Sequence, residues 1–323
     1  MLKFGIEFVA LESPKKIAKY AKLAEDLDFD FLWITDHYNN RSLYSTLAVV
    51  AMVTEKIKLG TGVTNPYTRN IALTASEIAT INEISDGRAV LGIGAGDKAT
   101  FDSLGIEWTK PLATVKESVD VIRQLCDGKR VQYDGKAIKM SGKLNFKAEG
   151  IKIYVGAQGP KMLELAGKIA DGVLVNASHP SDVAYAIDKV NNKDIEIGSY
   201  ASVSVDKDGE KARQSAIIVV AFIASGTNPT ILEKHGIDTE KTKAIGQSLA
   251  KGDFRGAMSQ VDDDMIEAFC IAGTPKDVKE KIATLEKLGV TQMICGSPLG
   301  PEKENAIGIL AEIKKELQQE NKD

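Results

Sequence analysis

The chain has 323 residues, 43% of them hydrophobic and 27% charged, with a formal net charge of −4. No apolar run approaches the roughly 20 residues that a membrane-spanning helix needs, so a helical membrane protein is excluded, while the length allows a large buried core. Lysine and glutamate are intermixed without a basic stretch, which argues against nucleic acid and leaves a small molecule as the expected partner.

The start, "MLKFGIEFVALESPKK", has none of the basic, long apolar and small-residue regions of a secretory signal, so a cytoplasmic location is expected. Within it "KFGIEFV" (3–9) reads as a strand, and a helix follows from about Ser13, with Ser13 as cap and Pro14 in the first turn. Ile17, Ala21, Ala24 and Leu27 give that helix one apolar stripe. The pattern then repeats. "FDFLWITD" leads to "STLAVVAMVTEK", "KIKLGTGVT" to "TASEIATINEIS", "RAVLGIGAGD" to "LATVKESVDVIRQLC", and "IKIYVGAQG" to "PKMLELAGKIA". "DGVLVNAS" leads to "SDVAYAIDKV", "IEIGSYASVSV" to a helix from about Glu210, and "TQMICGS" to "EKENAIGILAEIKKEL". Cys126, Cys270 and Cys295 are odd in number and widely spaced, so buried free thiols are expected rather than a disulfide framework or a zinc site.

Eight strand–helix units without a Pro/Ser-rich linker or a break in composition predict an α/β fold, a closed (βα)8 TIM barrel forming one domain over 1–323, in preference to a doubly wound open sheet. Two stretches exceed the bare repeat. Residues 128–150 read as a hairpin before strand five, and about 228–269 as polar helices between strands seven and eight. Long insertions of this kind usually carry function or cover a ligand.

In such barrels the chemistry collects where strands end. Those ends carry Glu7; Asp36, His37 and Asn39; Gly62, Val63, Thr64 and Asn65; Gly94, Gly96 and Asp97; Gly156, Gln158 and Gly159; Asn176 and Ser178; and Ser297. Alternation along strand one turns Phe4, Ile6 and Phe8 toward the helices and Gly5, Glu7 and Val9 into the barrel. A carboxylate buried there is either a functional group or half of a structural ion pair. "GIGAGD" (92–97) lacks the third glycine and the later acidic residue of a dinucleotide fingerprint. As a strand end, Gly94 and Gly96 are expected to let backbone approach a flat ring with Asp97 beside it, and a tight turn is the competing reading. "GAQGPKM" (156–162) opens a helix at Pro160, whose free N–H groups suit a phosphate or an ordinary cap. In "LGTGVTNPYTR", Gly62-Val63 reads as a strand end with close backbone approach.

"GIEF", "ITDHYNN", "GTGVTNPYTRN", "GIGAGDKATFDSLG", "VGAQGPKMLELAGKIADGVLVNAS", "AFCIAGTPKDV" and "GVTQMICGSPLGP" together resemble the methylenetetrahydromethanopterin reductases of methanogenic archaea, members of the bacterial luciferase-like superfamily of barrels. The resemblance runs from about Lys3 to Pro301. It implies reversible hydride transfer from reduced coenzyme F420, an 8-hydroxy-5-deazaflavin, to the methylene carbon of 5,10-methylenetetrahydromethanopterin, without a metal. It also implies a cis peptide at Gly62-Val63 behind the deazaflavin ring. Matching positions place Asp36, Asn65, Ala95, Gly96 and Asp97 around the ring and Gln158, Gly159, Lys161 and Met162 around the phosphate, with Gly62, Val63 and Asn176 completing the coenzyme set. Glu7 is then the expected acid for the departing pterin nitrogen, Asp97 the second catalytic residue, and His37 a rival donor. A homo-oligomer, dimer or tetramer, is expected. Another deazaflavin oxidoreductase, acting on an alcohol or sugar phosphate, would carry a catalytic His with a Trp soon after, whereas Asn39 and Asn40 follow "DHY". A non-catalytic flavin-binding barrel needs neither Glu7 nor Asp97.

Overall fold

Every predicted strand–helix unit is present in the computed structural model, which describes residues 1–320; positions 321–323 of the expected 1–323 domain lie outside the described residues. The strands are β1 (Lys3–Phe8), β2 (Phe31–Ile34), β3 (Lys58–Thr61), β4 (Ala89–Gly94), β5 (Val131–Asp134), β6 (Lys139–Gly142), β7 (Lys152–Gly156), β8 (Gly172–Val175), β9 (Glu196–Val205), β10 (Ile271–Gly273) and β11 (Gln292–Leu299). Helices α1 (Pro14–Asp26), α2 (Leu43–Ala51), α3 (Ile71–Ile84), α4 (Lys98–Ser103), α5 (Pro111–Cys126), α6 (Pro160–Ile169), α7 (Pro180–Val190), α8 (Gly209–Gly226), α9 (Pro229–Lys234), α10 (Thr239–Ala250), α11 (Phe254–Met258), α12 (Asp263–Phe269), α13 (Pro275–Leu288) and α14 (Lys303–Glu320) connect them. The sheet order is β10-β9-β11-β1-β2-β3-β4-β7-β8, and a further β9–β8 pairing closes eight parallel strands into a TIM barrel. The three-residue strand β10 adds to β9 and was not foreseen, because Ile-Ala-Gly is too short to show a period. Among the described residues no helix is long and apolar enough to cross a membrane.

Local chemistry sets the element ends. Ser13 caps α1 by accepting from the Lys16 N–H, with Pro14 in the first turn, and Thr274 and Asp277 form a reciprocal capping box on α13. The expected hairpin is β5 with β6, antiparallel.

The chain divides into two compact units, one of Lys3–Asn176 with Tyr185–Gly198, the other of Met1–Leu2, Ala177–Ala184 and the chain from Ser199 onward. In the second, the expected polar helical insertion is α9 to α12, and it has an apolar core of its own. Leu232, Ile237, Ile245, Ala257, Met265 and Phe269 pack with the small stripe Ala216, Val220, Ala221 and Ala224 of α8. Cys126, Cys270 and Cys295 are buried free thiols, each pushed up to about 12 by burial.

In the first unit two buried carboxylates fasten loops by collecting backbone N–H groups. Glu117 accepts from Lys136, Ala137 and Ile138 at 2.8 to 2.9 Å and so holds the hairpin turn. Glu25 Oε2 accepts from Glu55, Lys56 and Ile57 at 2.8, 2.7 and 3.0 Å, fixing the entry to β3. Burial alone would raise the Glu25 pKa, but these donors and Lys22 outweigh it and hold the group at about 2. Since this lies below the ordinary 4.5, the stabilisation is complete above about pH 4.5 and is lost as pH falls through 2. Glu25→Ala strands three N–H groups, and a loss of about 3 kcal/mol is expected from urea melts at pH 7. The gap to the wild type should narrow toward pH 2, and a gap independent of pH would show that the ionised carboxylate is not the anchor.

Candidate active site

At the end of β3 the chain bulges and then rejoins the sheet. Gly62 N–H donates to Ile34 O at 2.7 Å, Thr64 N–H to Gly92 O at 2.9 Å, and Gly94 N–H to Thr64 O at 2.9 Å. Between these bonds the Gly62-Val63 peptide is cis, as the resemblance implied. The Val63 side chain is seated over glycines of two neighbouring strands. A Cβ on Gly92 or Gly94 would lie 3.0 Å from a Val63 methyl, and one on Gly156 3.1 Å from it. Gly94 and Gly156 face each other in the β4–β7 register. The space that Gly94 opens is taken by Val63. Gly96 has φ +70°, and a Cβ there would meet the Phe101 ring at 2.2 Å, so the turn and this packing account for it.

The polar strand ends form a connected network. Asp36 Oδ2 accepts from Thr64 Oγ1 at 2.7 Å and from Arg69 Nη1 at 3.0 Å. Arg69 Nε also bridges to Glu77 at 2.9 Å, and its guanidinium lies 4.8 Å from the Tyr44 ring centre. The sequence reading had not singled out Arg69, whose only signal is a charged residue in the loop that follows a strand end. Asn65 Oδ1 accepts from the Tyr67 and Thr68 N–H groups and the Thr68 hydroxyl, so its amide nitrogen is the end left for other contacts. Trp108 donates to the Ala95 carbonyl at 2.8 Å, and Tyr67 packs on Phe101 at 5.2 Å, which holds the Ala95–Gly96–Asp97 loop.

The three expected acids and rivals have different surroundings. Asp97 is exposed and caps α4, accepting from Thr100 N–H at 2.9 Å and Thr100 Oγ1 at 2.7 Å. Partial burial raises its pKa, but those donors more than offset this and hold it below the usual range, so it is ionised at neutral pH. For His37 the surrounding protein outweighs the Asp36 carboxylate and lowers the pKa, so the imidazole is neutral. Glu7 is 4% exposed. It pairs in register with Trp33, and Trp33 with Gly60, so these residues share one face of the strands. Trp33 meets Tyr154 edge-on at 5.5 Å, and Tyr154 donates to Glu196, which also holds Lys3 and Lys152.

The predicted phosphate residues sit at the start of α6. Gly159 is its N-cap, with an ordinary φ of −76° and no side-chain cap bond. A Cβ on Gly159 would meet nothing within 4 Å, so neither packing nor backbone requires a glycine there. Gln158, Gly159 and Lys161 are exposed and Met162 half-buried, and Asn176 is exposed one residue past β8. All the residues expected to serve catalysis or the coenzyme belong to the Lys3–Asn176 part of one unit, whereas the strand-end residues Ser178 and Ser297 belong to the other. An open helix start for an anion, the apolar Val63 surface and a fixed carboxylate at Asp36 fit a phosphate-bearing flat heterocycle.

Residues 4–292 match the model of the family described as luciferase-like monooxygenase. The chain is 54% identical over 320 residues to the 5,10-methylenetetrahydromethanopterin reductase of Methanolobus tindarius, covering 96% of this chain and 98% of that protein. It is 53% identical over 323 residues to the 5,10-methylenetetrahydromethanopterin reductase of Archaeoglobus fulgidus, covering 96% and 97%. The solved structure of coenzyme F420-dependent tetrahydromethanopterin reductase from Methanopyrus kandleri superposes with a TM-score of 0.91 at 45% identity, over 96% of this chain and 97% of that one. With this likeness along nearly its whole length, the chain belongs to the luciferase-like family and, within it, to the 5,10-methylenetetrahydromethanopterin reductases.

Proposed function

We infer that this chain catalyses the reversible reduction of 5,10-methylenetetrahydromethanopterin to 5-methyltetrahydromethanopterin, with reduced coenzyme F420 as the hydride donor. The near full-length likeness to reductases of that name carries the reading. The strand ends supply residues for each part of the task. An alcohol or sugar-phosphate enzyme and a non-catalytic flavin barrel are not favoured, since the latter gives the buried Glu7 no task.

When bound, coenzyme F420 supplies the hydride. Val63 offers its ring an apolar support, the Asp36 carboxylate is held still by Thr64 and Arg69, and the Ala95–Gly96 backbone and Asn65 amide line the same strand ends. The phosphate belongs at the start of α6, with the Gly159 and Lys161 amides and the Lys161 ammonium, beside Gln158 and Met162. Asn176 completes the coenzyme contacts.

The methylene carbon bridges two nitrogens, and opening that bridge needs a proton on the departing one. Glu7, desolvated on a rigid strand, is the donor, and its carboxylate takes the proton back in the reverse direction. Asp97, kept ionised by its capping bonds, positions the Ala95–Gly96 loop and does not serve as the acid.

Two substitutions test this reading. Gly159→Leu is tolerated by the fold, so the melting temperature should hold while coenzyme affinity falls at least about tenfold, roughly 1.4 kcal/mol. Unchanged affinity would move the phosphate elsewhere. Glu7→Gln keeps size and polarity but carries no acidic proton, so turnover should fall about 10²- to 10⁴-fold with coenzyme affinity and melting temperature preserved. A stable variant with near-normal turnover would transfer the acid role to another residue, and a lowered melting temperature with activity tracking folded protein would make Glu7 structural.

A further inference from the structure

Two of the three histidines in the chain meet far from each other in sequence and outside the residues assigned above. His179 precedes α7, Asp182 lies in its first turn, and His235 ends α9, 53 residues beyond Asp182. One ligand atom from each of the three lies within 4.8 Å of the others. His235 Nε2 is 2.7 Å from Asp182 Oδ2, and the two imidazole rings meet edge-on at 4.7 Å. The His235 side chain is 8% exposed and that of Asp182 19%. Phe269 closes one side with its ring 6.1 Å from His235.

We propose that His179, Asp182 and His235 form a structural binding site for one divalent transition ion of the zinc class, which clips α9 of the inserted helices to the start of α7.

The donor set is that of a borderline cation: two imidazoles and one carboxylate, with water for the fourth position. A supporting shell is present. Ser181 Oγ lies 2.9 Å from His179 Nδ1 and can accept its proton in the tautomer that opens Nε2 to a cation, in place of the 3.2 Å bond that Nδ1 accepts from the Ser181 N–H. His179 is kept neutral by burial and by its neighbour His235, although Asp182 and Glu267 pull the other way and Lys281 adds to the lowering. Lys234 competes, since its ammonium holds Asp182 Oδ1 at 2.5 Å. That side chain is 40% exposed, so it can swing into water when a cation arrives and leave the second oxygen to the metal.

The site joins two segments outside the residues assigned to the coenzyme and the pterin, so the ion acts on stability and not on hydride transfer. The test uses the full chain after chelation and dialysis, titrated with Zn²⁺ by calorimetry and with Co²⁺ by visible absorption. One ion per chain, cobalt bands of nitrogen ligation and a melting temperature that rises with Zn²⁺ are expected, with turnover unchanged. His179→Ala should weaken binding at least about tenfold, His235→Gln likewise, and His37→Asn should leave it unchanged. Should His235→Gln fail to fold, the half-buried His179 variant still decides. Absence of Zn²⁺ binding, or binding that His179→Ala leaves intact, would overturn the proposal and mark the cluster as a plain Lys–Asp–His ion pair.

Discussion

Inside the strand wall two large rings compete for a fixed volume, and the positions of many other residues follow from how that competition is settled. Trp33 and Tyr154 are fully buried and meet edge-on. The neighbouring strands give way by omitting side chains: a Cβ on Gly60 would lie 2.2 Å from Trp33, and one on Gly172 2.3 Å from Tyr154. Glu7, next to Trp33 in register, therefore stands beside this buried aromatic pair.

The carboxylates of the first unit divide into two electrostatic classes, and the division is set by what they can collect. Glu25, Glu117 and Asp97 gather backbone N–H groups, which stabilises the ionised form and makes them fasteners. Asp36 is held by a hydroxyl and a guanidinium, so its position is fixed by side chains from the next strand and loop. Glu7 differs in lying inside the barrel wall, where burial works against charge. The same kind of group thus fastens a loop or is itself held in place, according to the donors around it.

The architecture was legible because each strand–helix unit repeats two distinct periods, alternating and 3.6-fold, over lengths that a pattern can reveal. β10 escaped because three residues show no period, and the inserted helices read as polar because their apolar partner, α8, lies earlier in the chain. At the site, the strand-end positions themselves were readable from Glu7, Asp36 and the glycine runs. The roles of Gly94 and Gly96 were not, since a glycine signals that something comes close without saying what, and Val63 and Phe101 arrive from elsewhere. Arg69 was silent for a related reason: its carboxylate partner is 33 residues away. Gly159 presents the reverse case, a glycine with ordinary backbone and open surroundings that neither packing nor conformation requires.

The seat of Val63 has a consequence for how such enzymes diverge. Its methyls rest against three positions without side chains, Gly92, Gly94 and Gly156, none of which need touch a coenzyme. Adding a single carbon at Gly94 or Gly156 would press on the valine methyls, and one at Gly92 would meet the Thr61 carbonyl first. The position of Val63 is thus set from behind by residues that carry no side chain of their own. A lineage could move that valine by exchanging a hidden glycine while the residues on its open face stayed the same.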